Sequence, residues 1–375
     1  MNRKRVLAGM RASGKLHLGN YFGGAKGMLT LQEDSKFETF YMVADLHTIT
    51  TPYKKEVLSE ATKNVVLDYL SAGLDPEKTT IFIDSHVPEV AELAYLFSSL
   101  VTIARMQHLP TFKEKVKQYP ESTTMALLNY PVLMAADILA FKADLVPVGL
   151  DQEPHLEIAR EVARKMNAEY GMDFPEPKRF TVPGGEYIPS LTGEGKMSKS
   201  VEGSYILLTD DINTIKERLA KVPTDSGKGF VSLKRSDDYN RDLVSPNIKN
   251  EDEVFNEKIV KETLYQDGST GNFSMGVYTL ITLVELFEGK KRREDYKMEY
   301  QDINGTGIRY KELKEELAEA IYKELKPLQE KRKEFEENPE RVEKILKNGA
   351  EKARVIAKKT VKEVKEKMGF MLSNK

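Results

Sequence analysis

Short apolar runs alternate along the first half of the chain with longer stretches whose apolar residues recur at helical spacing. Val6-Leu7-Ala8, Phe40-Tyr41-Met42-Val43-Ala44-Asp45 and Thr80-Ile81-Phe82-Ile83-Asp84 are too short for helices and read as buried strands. Residues 20–31, 56–72 and 90–105 carry the helical period, the second stopping at Gly73. This alternation predicts βαβ units around a parallel sheet, an α/β fold of the Rossmann-like kind. Ligands of such sheets sit at the carboxyl ends of the strands, and Gly9, Asp45 and Asp84 fall there. Phe174-Pro175-Glu176-Pro177 and Pro183-Gly184-Gly185 mark irregular structure. Beyond Thr209, and most clearly over residues 310–368, the pattern is helical and dense in Lys and Glu, interrupted by Pro327, Pro339 and Gly349. A boundary is expected near Ser204. It separates a domain of residues 1–204, which includes a connective insertion, from an all-helical domain of residues 205–375, whose last helix is free to pack back on the first.

Composition narrows the chemistry. A chain of 375 residues suits two domains. The 57 basic and 59 acidic residues leave a net charge of -2, which excludes a uniformly basic nucleic-acid binder but not a local basic face. With no cysteine there is no disulfide, thiolate metal site or cysteine nucleophile. The five histidines (His17, His47, His86, His108 and His155) form no i, i+4 pair, so no protein-held metal is expected. The apolar stretch after the basic N-terminus is too short for a signal-peptide core, and no run approaches transmembrane length. The expectation is a cytoplasmic protein with no membrane partner. The chain also lacks tryptophan.

Two motifs make chemical sense as a pair. Gly9-Met10-Arg11-Ala12-Ser13-Gly14 leaves a strand and leads through Lys15-Leu16-His17-Leu18-Gly19-Asn20 into a helix starting near Gly19. A glycine-rich turn at a helix start offers unpaired N–H groups to an anion, although the spacing is neither a Walker loop nor a dinucleotide fingerprint. Taken alone it is as readily an ordinary strand-to-helix turn. Lys196-Met197-Ser198-Lys199-Ser200 follows the flexible Thr192-Gly193-Glu194-Gly195 and puts two point charges where a loop can close over a polyphosphate. A Lys/Ser pentamer is by default a solvated loop; beside the first motif that bland reading loses ground. Asp137 is a third signal. On a helix from Pro131 to Phe141 it shares a face with Leu133, Met134, Ala140 and Phe141, where a carboxylate is costly unless partnered. The partner is either an arginine elsewhere or a ligand donor such as an indole N–H or a phenol.

The His-x-Gly-Asn element with Lys-Met-Ser-Lys-Ser resembles the class I aminoacyl-tRNA synthetases. The segments Tyr130-Pro131-Val132-Leu133-Met134-Ala135-Ala136-Asp137-Ile138-Leu139, Val146-Pro147-Val148-Gly149-Leu150-Asp151-Gln152 and His155-Leu156-Glu157, with Arg160, are similar to the bacterial tryptophanyl type. The likeness is specific over residues 6–205, weaker over 310–370 and poor over 227–305. Ala12-Ser13 departs from it, since many relatives have Pro followed by Thr or Ser. Val201-Glu202-Gly203 departs from the commonest continuation of the lysine loop.

The resemblance implies a tryptophan site of Leu7, Gly9, His47, Tyr130, Met134, Asp137, Val146, Val148 and Gln152, with Tyr130 and Gln152 on the substrate ammonium. It implies an ATP site of Arg11, Ser13, Gly19, Asn20, Gly149, Asp151, Gln152, Ile188, Lys196, Met197, Ser198, Lys199 and Ser200. Lys196, Lys199 and Lys115 would meet phosphates as catalytic groups, although residues 113–117 also read as an exposed charged helix face. Mg2+ would arrive on the ATP phosphates. The implied activity is formation of tryptophanyl-adenylate and transfer to tRNA(Trp), by a homodimer with its interface at residues 85–150 and its anticodon site in the helical half. The alternatives are a tyrosyl enzyme, a small-molecule nucleotidyltransferase and a non-catalytic tRNA-binding paralogue.

Overall fold

A computed structural model describes residues 3–180, 188–228, 273–302 and 304–372; Pro183-Gly184-Gly185 lies outside the described residues. Five strands form one parallel sheet: β1 (Lys4–Arg11), β2 (Phe37–Ala44), β3 (Thr80–Ile83), β4 (Leu145–Val146) and β5 (Lys178–Arg179), in the order β3-β2-β1-β4-β5. The strand order reverses between β1 and β4, the switch point at which open α/β sheets leave a crevice at their carboxyl ends.

The expected strands are present with longer bounds. β1 extends three residues past Ala8, so Gly9 lies within it, opposite Met42. A Cβ at Gly9 would stand 2.7 Å from Met42 Cγ, so no side chain fits there without displacing that methionine. The helix expected over residues 20–31 is interrupted. A single turn at Leu18–Asn20 passes through the π-helical Tyr21–Ala25 before the regular helix Lys26–Glu33. The stretch over 90–105 is two helices, Pro88–Ser98 and Ile103–Gln107, the second with its own cap from the Thr102 side chain. Helix Lys55–Ala72 ends on Gly73 at φ 113°, where a left-handed residue closes the C-terminus. The helix bearing Asp137 starts at Met125, not Pro131. Thr124 caps it, and Pro131 sits at its seventh position. Between β3 and β4 the chain also builds the helix Pro110–Gln118, whose residues are all at least partly exposed.

By internal contacts the described residues form two compact units, and these do not divide at Ser204. The first comprises residues up to Leu16, Gly23–Gly185 and Glu330–Lys375. It holds the sheet, and its core joins Leu7, Phe40, Met42 and Phe82 to Ala136, Phe141 and Leu156. The last helix, Pro339–Lys367, packs on β3 and on the helix Pro88–Ser98. A Cβ at Gly349 would come within 1.8 Å of the Ile81 carbonyl oxygen, so only glycine allows that approach. Arg354 on the same helix forks onto Glu89, and Thr360 donates to the Ala140 carbonyl at 2.8 Å. Inside this unit Arg332 and Asp68 form a buried ion pair, and the other Asp68 oxygen accepts the Leu16 N–H at 2.6 Å. A charge pair taken out of water stands only when its remaining valences are filled, and Asn64 supplies further partners for Arg332.

The second unit comprises His17–Phe22 and Glu186–Gln329, and most of its regular elements among the described residues are helices. Its helices are Ile212–Ala220, Met275–Glu288, Lys290–Gln301 and the part of Tyr310–Glu336 up to Gln329. Phe22 meets Phe287 edge-on at 5.3 Å, Thr279 donates to the Ser190 carbonyl at 2.9 Å, and Gln329 donates to the carbonyls of Leu208 and Asp210.

Candidate active site

The first unit gathers the residues expected at an amino acid. His47 Nε2 and Asp137 Oδ2 are 2.7 Å apart, with Asp137 fully buried and the His47 side chain nearly so. The partner that a carboxylate on an apolar face demands is therefore a histidine, and the second oxygen, Oδ1, has none. Arg11 Nη2 donates to Thr51 Oγ1 at 2.8 Å and the Ala12 N–H to Thr48 Oγ1 at 3.1 Å, fixing the segment after His47 to the end of β1. Leu7 and Val146 are buried in the core, and Met134 and Val148 pack against it partly exposed.

Tyr130 and Gln152 are joined through His155, which received no role from the sequence. The Tyr130 hydroxyl lies 2.6 Å from His155 Nε2 and donates to Thr111 Oγ1 at 2.8 Å, while His155 Nδ1 lies 3.2 Å from Gln152 Oε1. Gln152 Nε2 donates to Asp151 Oδ2 at 2.8 Å, so its carbonyl oxygen faces the histidine. That assigns the proton to Nδ1 and leaves Nε2 to accept. Burial holds His155 neutral, with its pKa lowered to about 4. Burial likewise raises the Tyr130 phenol to about 12 and keeps it a donor. Thr111 was not foreseen either; a lone threonine at a helix start carries no signal of such a bond. Ser13 lies just beyond β1, its N–H bonded to the Arg11 carbonyl. Gly149 lies against Asp151, whose Oδ1 would stand 2.4 Å from a Cβ placed there. Lys115 donates to Gln118 at 2.7 Å and lies 5.9 Å from the Tyr119 ring centre, contacts confined to its own helix and its C-terminal cap.

The second unit brings the His17–Asn20 end of the first motif together with the lysine loop. His17 caps the turn Leu18–Asn20: Nδ1 accepts the Asn20 N–H at 3.3 Å, and Asn20 Oδ1 accepts the His17 N–H at 3.2 Å. A histidine that accepts at Nδ1 is unprotonated there. Burial first, then the charges of Lys199 and Lys196, lower its pKa to about 4. A Cβ on Gly19 would meet the His17 ring at 2.9 Å and Met197 Cβ at 3.3 Å, so the glycine is what lets the lysine loop approach this turn. The loop is shaped by its own backbone. Met197 N–H bonds to the Ile188 carbonyl at 2.9 Å, Ser190 N–H to that of Gly195 at 2.9 Å, and the buried Ser204 hydroxyl to that of Ser198 at 2.5 Å. Met197 and Ile188 are buried, Lys196 and Ser200 exposed, Ser198 and Lys199 half-buried. Two cations beside a neutral histidine at a helix start suit a polyphosphate.

Among the described residues one group has metal-ligand spacing: His47, Asp84 and Asp137 each place a donor atom within 4.8 Å of the others. It does not fit Mg2+, which takes oxygen ligands and retains water. Nor does it fit zinc. The 2.7 Å between His47 Nε2 and Asp137 Oδ2 is a hydrogen bond, shorter than the roughly 3.3 Å between ligands of one tetrahedral ion.

A doubly wound sheet, a buried carboxylate–histidine pair and a lysine loop folded against a histidine-capped turn suit an enzyme that handles a nucleotide. The chain belongs to the family of tRNA synthetases class I (W and Y), whose family model matches residues 1–326. It is 36% identical to the tryptophan–tRNA ligase of Clostridium tetani over 99% of this chain and 97% of that one. It is also 36% identical to that of Streptococcus pyogenes, over 99% of each. The tryptophanyl-tRNA synthetase of Campylobacter jejuni, solved with ADP and tryptophan, aligns at TM-score 0.76 and 30% identity, covering 98% of this chain and 100% of its own.

Proposed function

We propose that this chain activates L-tryptophan with ATP to tryptophanyl-adenylate, releasing pyrophosphate, and transfers the tryptophanyl group to the 3′-terminal ribose of tRNA(Trp). The observation that carries this reading is Asp137, as the acceptor for a donor on the amino-acid side chain; the choice of an indole over a phenol rests on the relatives. Asp137 is an acceptor-only carboxylate inside an apolar unit, oriented by His47 and with one oxygen left without a partner, and an indole N–H is a donor only. The relatives' names and the tryptophan bound in the Campylobacter jejuni enzyme support the same substrate. The tyrosyl alternative has less support: the tyrosyl-tRNA synthetase of Aeropyrum pernix shares the fold at 16% identity.

In this reading the tryptophan carboxylate attacks the α-phosphate of ATP in line, and no protein nucleophile takes part. Tyr130 and Gln152, braced through His155, hold the ammonium; Leu7, Gly9, Met134, Val146 and Val148 line the indole. Gly19 and Asn20, with Gly149 and Asp151, take the adenosine, and the backbones of Ile188 and Met197 take the base. Lys196 and Lys199 stabilise charge on the leaving pyrophosphate, with Ser198 and Ser200 shaping their loop, and catalysis is positioning plus electrostatics. Arg11, Ser13 and Lys115 remain proposed ATP contacts. Mg2+ would travel on the ATP phosphates, keeping several of its waters.

The helical half beyond residue 205 is proposed to bind the anticodon, reading unstacked bases. The enzyme is proposed to be a cytoplasmic homodimer joined over residues 85–150. Tyr95, Ile103 and Met125 in that stretch are exposed by 81, 61 and 71%, large apolar surface of the kind that interfaces cover. No described helix is long and apolar enough to cross a membrane. Charging of a total tRNA pool tests the whole activity: label from tryptophan should be incorporated and label from tyrosine should not. Charge reversal of several exposed lysines over residues 323–367 is expected to weaken charging most at low salt, where the lost phosphate contacts count most, and to leave pyrophosphate exchange nearly unchanged. Equal losses in both assays would show instead that these lysines support the fold of the adenylation site.

A further inference from the structure

Asp84 directly follows β3, takes part in no step above, and is fully buried. Neither of its carboxylate oxygens has a hydrogen-bond partner, and neither does Asp137 Oδ1. Oxygens of the two carboxyl groups and a His47 nitrogen lie within 4.8 Å of one another. Two ionised carboxylates buried at that separation repel strongly, and one proton removes the repulsion and supplies the missing donor.

The surrounding groups decide which carboxyl carries that proton. Asp137 has His47 at 2.7 Å. Asp45, at the end of β2, accepts from the Ser85 N–H and hydroxyl and from the Leu46 N–H. Glu89, on the next helix, is held by Arg354 and Lys358. Asp84 alone faces carboxylates with no donor of its own. Burial first, then the charges of Asp137 and Asp45, raise its pKa well above the usual carboxylate range.

We propose that Asp84 is a positioning residue for side-chain recognition: it carries a proton and donates it to Asp137 Oδ1, fixing which lone pairs of Asp137 remain for the ligand N–H. Each carboxylate oxygen accepts in two directions, so Oδ1 can take both the Asp84 O–H and an indole N–H. The proposal rests on the tryptophan reading of Asp137. It carries a definite pH sense. A carboxyl whose folded pKa is raised is protonated below that value and ionises as pH rises through it, so the arrangement is present on the acid side of that pKa and is lost above it.

The chain contains no tryptophan, so the fluorescence of added tryptophan reports binding against a dark background. Wild type, Asp84→Asn and Asp84→Ala are titrated with tryptophan from about pH 6.5 to pH 9.5, with the KM for ATP as the check that each is folded. Wild-type affinity should fall severalfold towards the alkaline end. Asp84→Asn, whose amide keeps a permanent donor, should bind near the wild-type value at neutral pH and lose less as pH rises. Asp84→Ala should bind about tenfold more weakly at neutral pH, as expected when a buried donor is removed. The ligand's ammonium titrates alike with every variant, so the difference between wild type and Asp84→Asn isolates Asp84. Parallel pH profiles for those two, or Asp84→Asn as weak as Asp84→Ala, would overturn the proposal. A flat wild-type profile would do so even if neither variant folds. Wild type that binds no tryptophan at any pH would overturn the substrate reading beneath it as well.

Discussion

Asp137→Ala is expected to lower the efficiency of tryptophan activation by about one to two orders of magnitude, while the KM for ATP stays near the wild-type value. The substitution removes the acceptor of a hydrogen bond to a charged group, worth about 1.5–3 kcal/mol, and leaves His47 Nε2 without its partner at 2.7 Å. None of the hydrogen bonds described for the turn at His17 or the lysine loop at Met197 involves Asp137. Steady-state pyrophosphate exchange with tryptophan and ATP varied in turn measures both terms. Tryptophan activation within twofold of wild type would show that the carboxylate plays no part in choosing the side chain.

Neutralising the loop is expected to act on rate more than on binding. Lys196→Gln and Lys199→Gln should each slow adenylate formation by about 10²-fold, the usual consequence of removing one preorganised charge from a developing anion, with a much smaller change in ATP affinity. Both lysines also depress the pKa of His17, after burial, so each substitution should let that pKa rise from about 4 towards its ordinary value. The cap bond from the Asn20 N–H to Nδ1 needs the unprotonated ring and would then weaken on the acid side. Single-turnover adenylate formation against pH reads both effects. A loss of ATP affinity with an unchanged chemical rate would make the lysines binding residues only.

Much of this architecture is legible in the residues, and the parts that are not have physical reasons. The strands at Val6, Phe40 and Thr80 stand out because buried parallel strands are continuous apolar runs. β4 and β5 are two residues each, too short to leave a periodic signal. Pro131 invites a helix start, since proline suits the first turn. Thr124 captures that role because its hydroxyl can accept the Leu127 N–H. The paired motifs were readable as a pair, because each needs the other to make sense of its glycines and lysines. What joins them is tertiary: Gly19 against Met197, and a neutral histidine between lysines. The need of Asp137 for a partner was readable too, but the identity of that partner was not. His47 lies 90 residues earlier, and only the strand order brings the two together. His155 and Thr111 were invisible as site residues for the same reason.

The most direct test is ATP–pyrophosphate exchange by the purified chain without tRNA, driven in turn by tryptophan, tyrosine and phenylalanine. A buried acceptor carboxylate left without a donor should disfavour phenylalanine by about 10²-fold or more, and by likeness to the tryptophan–tRNA ligases exchange should depend on tryptophan and be near background with tyrosine as well. Exchange driven equally well by tyrosine, or absent with tryptophan while the chain still binds tRNA, would contradict the account.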